Sequence, residues 1–305
     1  MDCSVVISCT NEYPQVTFTV QNIIEELEGF CDYEILVVDN LSTDHTKSFF
    51  TSRMDSHVKY LPYGEKQSHW CAKTYGVNNS KGKCLFFPDA HIVMKRDSLR
   101  NMFTFLEEYD GPVGSVHSYH THMNMYRPME YELKFGKFMY RFRTAQKDKT
   151  EPYKVGVMTT DCMMCRKSVF DELGAWHPEF GIRTGGEAYM MFKQGTCGYP
   201  HFIHPKAAFH HLKARKYGYR INYHDITRNN FIAAYICGGD KWLDWIYHRY
   251  VDHRKITKER GDMYKAEMLE RCNDEMEFVK SKQVMSLDQY FKKWSLNLEG
   301  TGDQE

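Results

Sequence analysis

The sequence predicts an α/β protein: a mostly parallel central sheet flanked by helices, with a helical C-terminal appendage. Short apolar runs alternate with apolar residues at helical spacing through the first third of the chain, and each run stops at a polar cluster. From about residue 221 the pattern turns helical throughout. With 305 residues there is ample chain for one large core or two small ones.

The elements follow in order. Ser4–Ser8 is a buried-strand run that ends at Thr10-Asn11-Glu12, and Val16, Val20, Ile23, Ile24 and Leu27 then predict a helix. Tyr33–Val38 predicts a second strand, stopping at Asp39–Asp44, where Ser42, Thr43 or Asp44 can cap the next helix. Val58–Leu61 and Cys84–Phe87 predict further strands, the latter ending at Pro88-Asp89-Ala90-His91. Residues 113–205 read as strands with short helices, and the basic, aromatic stretch 127–150 as an inserted loop or helix. Near the end, Met268, Leu269, Cys272, Met276 and Val279 sit at helical spacing on a charged background. The economical division is one domain over 1–220, made of a half 1–112 and a half 113–220 with a basic insertion 127–154, followed by a helical extension 221–305.

Composition excludes several classes. Hydrophobic residues at 42% and charged residues at 26% are ordinary for a folded protein and rule out disorder, coiled coil and collagen. The longest apolar run, Phe231–Cys237, is far short of the roughly 20 residues that span a bilayer, so no membrane anchor is expected. Met1-Asp2-Cys3 runs into a strand with no leader-like pattern, and ten scattered Cys suggest reduced thiols. The expected location is therefore cytoplasmic, or the host cytoplasm for a viral protein. The pair Cys162 and Cys165 reads as packed thiols, a redox pair or half a zinc site being the alternatives.

Lys+Arg 40 balance Asp+Glu 40, but the average hides stripes. Residues 127–154 carry 8 basic against 4 acidic residues, 212–260 carry 11 against 5, and 261–305 carry 6 against 10. Trp242, Trp245, Tyr247 and Tyr250 interleave with the second basic stretch; core packing explains them best, base stacking second. His117, His120 and His122 read as a hydrogen-bonded loop after a strand rather than a metal site.

Chemistry concentrates at Asp89 and His91. A carboxylate and an imidazole two residues apart, just past a buried strand, can reach one divalent cation, and Mn²⁺ tolerates such mixed ligands. No glycine-rich phosphate loop follows the first strand, which argues against an ordinary dinucleotide or ATP cradle.

Five segments occur in a telling order: Ser4–Glu12, Ile35–Asp44, Ala72–Gly76, Ser80–His91, and Asp161–Gly174 with Gly185-Gly186-Glu187. The first four resemble the nucleotide-binding half of family-2-type glycosyltransferases with the GT-A fold, a Rossmann-like architecture. The last resembles the polypeptide N-acetylgalactosaminyltransferases, which also carry DxH and GGE motifs. The resemblance covers about residues 3–220 and implies a metal-dependent transfer from a UDP-sugar, with Mn²⁺ (or Mg²⁺) as cofactor.

Carried onto this chain, the resemblance implies that Thr10, Glu12 and Asp39 hold the nucleoside, Asp39 by accepting the uracil imide N–H. Lys73 falls near base and diphosphate. Asp89 and His91 fall at the metal, with His211 as further ligand and His210 as fallback. Lys213–Arg220, including Lys213 and Tyr217, resembles the loop that closes over the nucleotide sugar. Glu187 falls on the acceptor side. Many inverting members follow that Glu with an Asp general base; Ala188 stands here, which favours retention, although Glu187 itself is the alternative base. Asp161 stands where those relatives carry small residues, and reads as a sugar-hydroxyl ligand, a nucleophile or a strand-end cap. Thr184 replaces the aromatic before GGE, which puts N-acetylhexosamine specificity in doubt.

The basic stretches point to a polyanionic acceptor, a hydroxymethylated pyrimidine in DNA, as phage enzymes glycosylate. The rival acceptors are a glycan, a lipid-linked sugar or a small molecule. A catalytically inactive nucleotide-sugar or nucleic-acid binding module is the non-enzymatic rival. The sugar and the oligomeric state are not legible.

Overall fold

The structure, a computed structural model, describes residues 1–52, 56–122, 130–136, 139–144, 149–212 and 218–296. For His122 and residues 130–136 and 139–144 the description is of the backbone. In chain order the elements begin with β1 (Cys3–Cys9), α1 (Gln15–Leu27), β2 (Tyr33–Asn40), α2 (Thr46–Ser52), β3 (Val58–Tyr63), α3 (His69–Asn78), β4 (Cys84–Pro88), β5 (Ile92–Met94) and α4 (Ser98–Glu108). There follow β6 (Ser115–His122), β7 (Glu130–Gly136), β8 (Met139–Thr144), β9 (Tyr153–Val155), β10 (Cys162–Arg166), α5 (Lys167–Leu173), α6 (Gly186–Thr196) and β11 (His201–His211). The chain closes with α7 (Tyr223–Val251), α8 (Lys258–Arg271), α9 (Asn273–Lys282) and α10 (Leu287–Lys293).

One sheet runs β3-β2-β1-β4-β10-β6-β11-β5. The pairs β3–β2, β2–β1, β1–β4 and β6–β11 are parallel, whereas β10 enters antiparallel between β4 and β6. β1, β2 and β4 are buried over almost every residue, as strands covered on both faces must be, and they read as unbroken apolar runs for that reason. Val16, Val20, Ile23 and Leu27 of α1 are buried on one side of the sheet. Gly76 of α3 meets the other: a Cβ there would stand 2.3 Å from Val6 Cγ1. The parallel strands therefore present their carboxyl ends together, where open α/β sheets bind ligands.

Two expectations change. The stretch taken as an inserted loop or helix contains a β-hairpin: β7 pairs with β8, and β7 extends the sheet from β6. Its letters alternate apolar and charged (Tyr131, Leu133, Phe135), a period of two that the basic charge obscured. His117 and His120 lie within strand β6, not in a loop after it.

The C-terminal helices join the main core. Phe231 to Cys237, Trp242 and Ile246 of α7 cluster with Val6, Phe87 and Met163 of the sheet, and Met268, Cys272 and Val279 join them. Leu269, counted in the same stripe, is exposed. Trp242 is buried and Tyr250 accepts from Asn230 Nδ2 at 2.7 Å, so these aromatics pack on the core. Cys162 and Cys165 are buried, separate thiols, as the other cysteines are free. Among the described residues no helix is long and apolar enough to cross a membrane.

Candidate active site

The ends of β1 and β2 are tied together by their own polar side chains. Thr10 is buried; its Oγ1 donates to the Asn40 carbonyl at 2.9 Å and accepts from Gln67 Nε2 at 3.0 Å. Asp39, 4% exposed, accepts from Ser42 N at 2.9 Å and from the Tyr60 hydroxyl at 2.6 Å. Burial and that carboxylate push the Tyr60 hydroxyl pKa up. Asn11, at φ 53, accepts Thr43 N and Asp44 N and donates to the Gly218 carbonyl at 2.6 Å. A Cβ at Gly218 would lie 1.9 Å from the Thr10 carbonyl, so only glycine lets the chain return this close to β1.

Beside them lies the cation cluster. The Asp89, His91 and His211 ligand atoms all lie within 4.8 Å of one another. His211 Nε2 stands 3.9 Å from Asp89 Oδ2, and the His91 and His211 rings meet edge-on at 4.6 Å. The backbones interlock as well, with Leu212 N donating to the His91 carbonyl at 2.8 Å. A cation with bonds of about 2.1 Å holds neighbouring ligands about 3.0–3.5 Å apart, so the most widely spaced of these groups must draw in by roughly 1 Å to share one. Glu12 Oε2, 3.2 Å from His91 Nδ1, supplies the carboxylate that orients a ligating imidazole through its other nitrogen. Burial lowers the His91 pKa, but the Glu12 hydrogen bond and the Asp89 charge outweigh it and leave a net rise. Burial takes His211 down to about 4, so its imidazole is neutral and fit to ligate at neutral pH. His210, the fallback ligand, instead faces Thr121 Oγ1 at 2.7 Å.

A second layer surrounds the cluster. His120 stacks on His211, with centroids 4.9 Å apart and planes at 14°, and its Nδ1 stands 3.3 Å from Asp161 Oδ2. Asp161 Oδ1 accepts from the Thr159 hydroxyl, and the Asp161 carbonyl accepts Asp89 N at 2.8 Å. Burial opposes ionisation of Asp161, but the His120 contact prevails and holds its carboxyl below the usual range. The sequence reading sets His120 aside with His117 and His122 as part of a loop after a strand, whereas it lies within β6 and stacks on His211. A usable signal was its even spacing from His122 in a polar run, a period of two that fits one face of a strand.

Lys73 is buried at 2% exposure. Its Nζ donates to the Thr160 carbonyl at 3.1 Å, between the Trp70 and Trp176 rings, so its charge acts from beneath the site. Glu187 opens α6, and its Oε2 is buried with no hydrogen-bond partner among the described residues. Burial raises its pKa to about 7; nearby Lys73 opposes the rise, and Asp89 and Asp161 reinforce it.

The loop before Glu187 is held in left-handed backbone at Arg183 (φ 57), Thr184 (φ 47) and Gly185 (φ 82). A β-branched residue rarely adopts such a φ. Asn229 of α7 braces the loop, donating to the Arg183 and Thr184 carbonyls at 2.8 and 3.0 Å and accepting Gly181 N at 2.8 Å. Trp70 packs on Gly186, where a Cβ would lie 2.4 Å from the indole. A lone Asn in an apolar helix carries no sequence signal. Lys213 and Tyr217 lie outside the described residues.

By its fold the protein belongs to the GT-A class. Residues 4–174, more than half of the chain, match the model of Glycosyl transferase family 2, and the chain is a member of that family. It is 24% identical over 280 residues to polypeptide N-acetylgalactosaminyltransferase 5 of Caenorhabditis elegans, across 85% of this chain and 44% of that relative. The chain thus spans less than half the length of the curated relative it matches. GalNAc-T7, solved with UDP, GalNAc and Mn²⁺, superposes with a TM-score of 0.78 at 17% identity, over 97% of this chain and 56% of that one. Residues 1–349 of Staphylococcus aureus TarS, solved with UDP-GlcNAc, superpose at 0.58 and 12% identity, over 97% and 91%. At these identities the likeness is one of fold.

Proposed function

We propose that the protein moves a sugar from a UDP-sugar to an acceptor hydroxyl with retention of configuration, using Mn²⁺ (or Mg²⁺) held by Asp89, His91 and His211. The observation that carries this reading is the close approach of those three side chains at the carboxyl ends of the parallel strands. A cation bound there supplies Lewis-acid neutralisation of the leaving diphosphate. Thr10 and Asp39 read the nucleoside, and Glu12 orients His91.

On the acceptor side, a glutamate with a pKa about 7 both donates to and accepts from a hydroxyl at neutral pH, so Glu187 positions the acceptor. It is the one acidic residue in the first turn of α6, and Ala188 follows it, which supports retention. Both Asp161 oxygens are engaged internally, by Thr159 and His120, which suits a sugar-hydroxyl ligand better than a nucleophile. The reading of Lys213 and Tyr217 as part of a closing loop rests on the family pattern.

The acceptor we propose is a hydroxymethylated pyrimidine in DNA, supported by the basic stretches 127–154 and 212–260. The likeness to polypeptide-modifying relatives favours a second reading, a glycan or protein hydroxyl. A panel of UDP-sugars with Mn²⁺, scored by UDP release with and without hydroxymethylated duplex DNA, separates them. Expected are metal-dependent release, a rise with the modified duplex alone, and an α-linked product from an α-linked donor. Asp89→Ala abolishes release, and Asp161→Asn raises the donor KM more than it lowers kcat. Full activity of Asp89→Ala overturns the cation assignment, and indifference to DNA removes that acceptor.

A further inference from the structure

Helix α7 is broken at Gly239 (φ 67, ψ -160) so that its two halves pack together, and a groove of about 590 Å³ opens between its two ends and the start of α8. Of its ten lining residues five are Arg254, Lys255, Lys258, Arg260 and His224, and none is acidic. Some of this charge is engaged: Lys258 pairs with Asp262 at 2.7 Å, and Lys255 Nζ stands 5.5 Å from the Tyr250 ring centroid. Arg260 Nη1 donates to His224 Nδ1 at 2.7 Å, which holds both side chains at the groove wall. Tyr223, 76% exposed, forms the lip.

The neighbouring groove offers a contrast. It shares His224 and Arg260 but also contains Asp225, Glu267 and Glu270, and its Arg228 is bound to Glu179 and Glu267. Charge there is compensated inside the protein. The first groove has no carboxylate among its lining residues.

Position links this groove to the acceptor side. The first turn of α7 lines it with Tyr223 and His224, while Asp225 in the same turn accepts Ile182 N at 3.3 Å. A Cβ on Gly181 would meet Asp225 at 2.5 Å. The segment from Gly181 leads within a few residues to Gly185, Gly186 and Glu187.

We infer that this groove binds the phosphodiester backbone of a nucleic-acid acceptor and feeds the strand toward Glu187. The inference rests on the DNA-acceptor reading above. A lone phosphate is too small for an open groove with this many cations, and an exposed tyrosine among cations offers a base a stacking face. A membrane surface needs an apolar face, and the lip supplies one aromatic ring.

The test is fluorescence anisotropy of a labelled 20-base-pair duplex against NaCl concentration. Wild type is compared with Arg254→Glu/Lys255→Glu, and with Lys292→Glu/Lys293→Glu on α10 as a control of equal charge change. Expected is salt-sensitive wild-type binding, about tenfold weaker in the groove variant, with its salt slope reduced by about 2 and the control unchanged. Acceptor-free UDP release stays at the wild-type level in both variants, which reports that they are folded; Arg254→Ala/Lys255→Ala shows the same loss more mildly. Equal weakening by the control, wild-type affinity in the groove variant, or preference for anionic phosphatidylglycerol vesicles at equal phosphate concentration overturns the inference. If the duplex stimulates transfer while the groove variant binds normally, the groove assignment fails and the acceptor reading stands. If wild type releases UDP but never binds the duplex, both fail.

Discussion

Glu187 carries a conflict that a titration exposes. Its carboxyl is driven up from the usual value to about 7, so the folded protein binds this proton more tightly than the unfolded chain does. The stability that goes with the raised pKa is complete below the unfolded value and is lost as pH rises through about 7. Replacing Glu187 with Gln removes the penalty of ionising it. Denaturant unfolding in metal-free buffer at pH 5 and pH 8 is therefore expected to shift in favour of Glu187→Gln at the higher pH. The size of the shift is at most about 3 kcal/mol. A difference that does not change with pH means that the site is wetter than its burial implies. At this scale Asp89 and His91 were legible because they follow one strand two residues apart. His211 needed the family pattern, since it comes from a distant strand. His120 was lost among neighbouring histidines because only the sheet shows which of them faces the cluster.

The turn into α6 shows how an element is made to hold one side chain in place. Left-handed backbone at Arg183 and Thr184 is strained, and it persists because Asn229 ties down the carbonyls of both. Asn229→Ala should cost about 2 kcal/mol of stability, from lost hydrogen bonds to buried carbonyls. It should lower kcat more than it changes the donor KM, because Asp89, His91 and His211 lie on other elements. An unchanged kcat would show that Glu187 keeps its place without the brace. Strands β1, β2 and β4 were legible because two-sided burial demands continuous apolar runs. The β7–β8 hairpin was hidden because it alternates apolar with charged residues, and the charges dominated its reading. The brace was hidden for a different reason: a single Asn acquires meaning only when a loop from elsewhere is laid against it.

At the scale of the molecule, the C-terminal helices are bound into the catalytic body by buried polar contacts as well as by apolar packing. Lys193 on α6 is fully buried and donates to Glu275 on α9 at 2.8 Å, to the Tyr189 hydroxyl at 2.6 Å and to the Ala175 carbonyl at 2.9 Å. Glu275→Ala should cost about 3 kcal/mol, because it strips the counter-charge from a buried ammonium. Lys193→Met in the same chain should recover much of that loss, a coupling that thermal melts of the single and double variants measure. Equal, additive losses would mean that the two residues act independently. The net charge of zero likewise resolves into regions: the basic groove between α7 and α8 is offset by carboxylates elsewhere, several of them structural.

The shared core has an evolutionary corollary. Many enzymes change substrate by exchanging a terminal module like a cassette, leaving the catalytic body as it was. Here the inner face of α6, whose first turn carries Glu187, is completed by side chains from α7, α9 and α10. A transplanted C-terminal segment would arrive without the partners that Lys193 and Phe192 require. Point substitutions on the surface of α7 and α8 should therefore be tolerated better than recombination at residue 220, which thermal melts of both kinds of variant would measure.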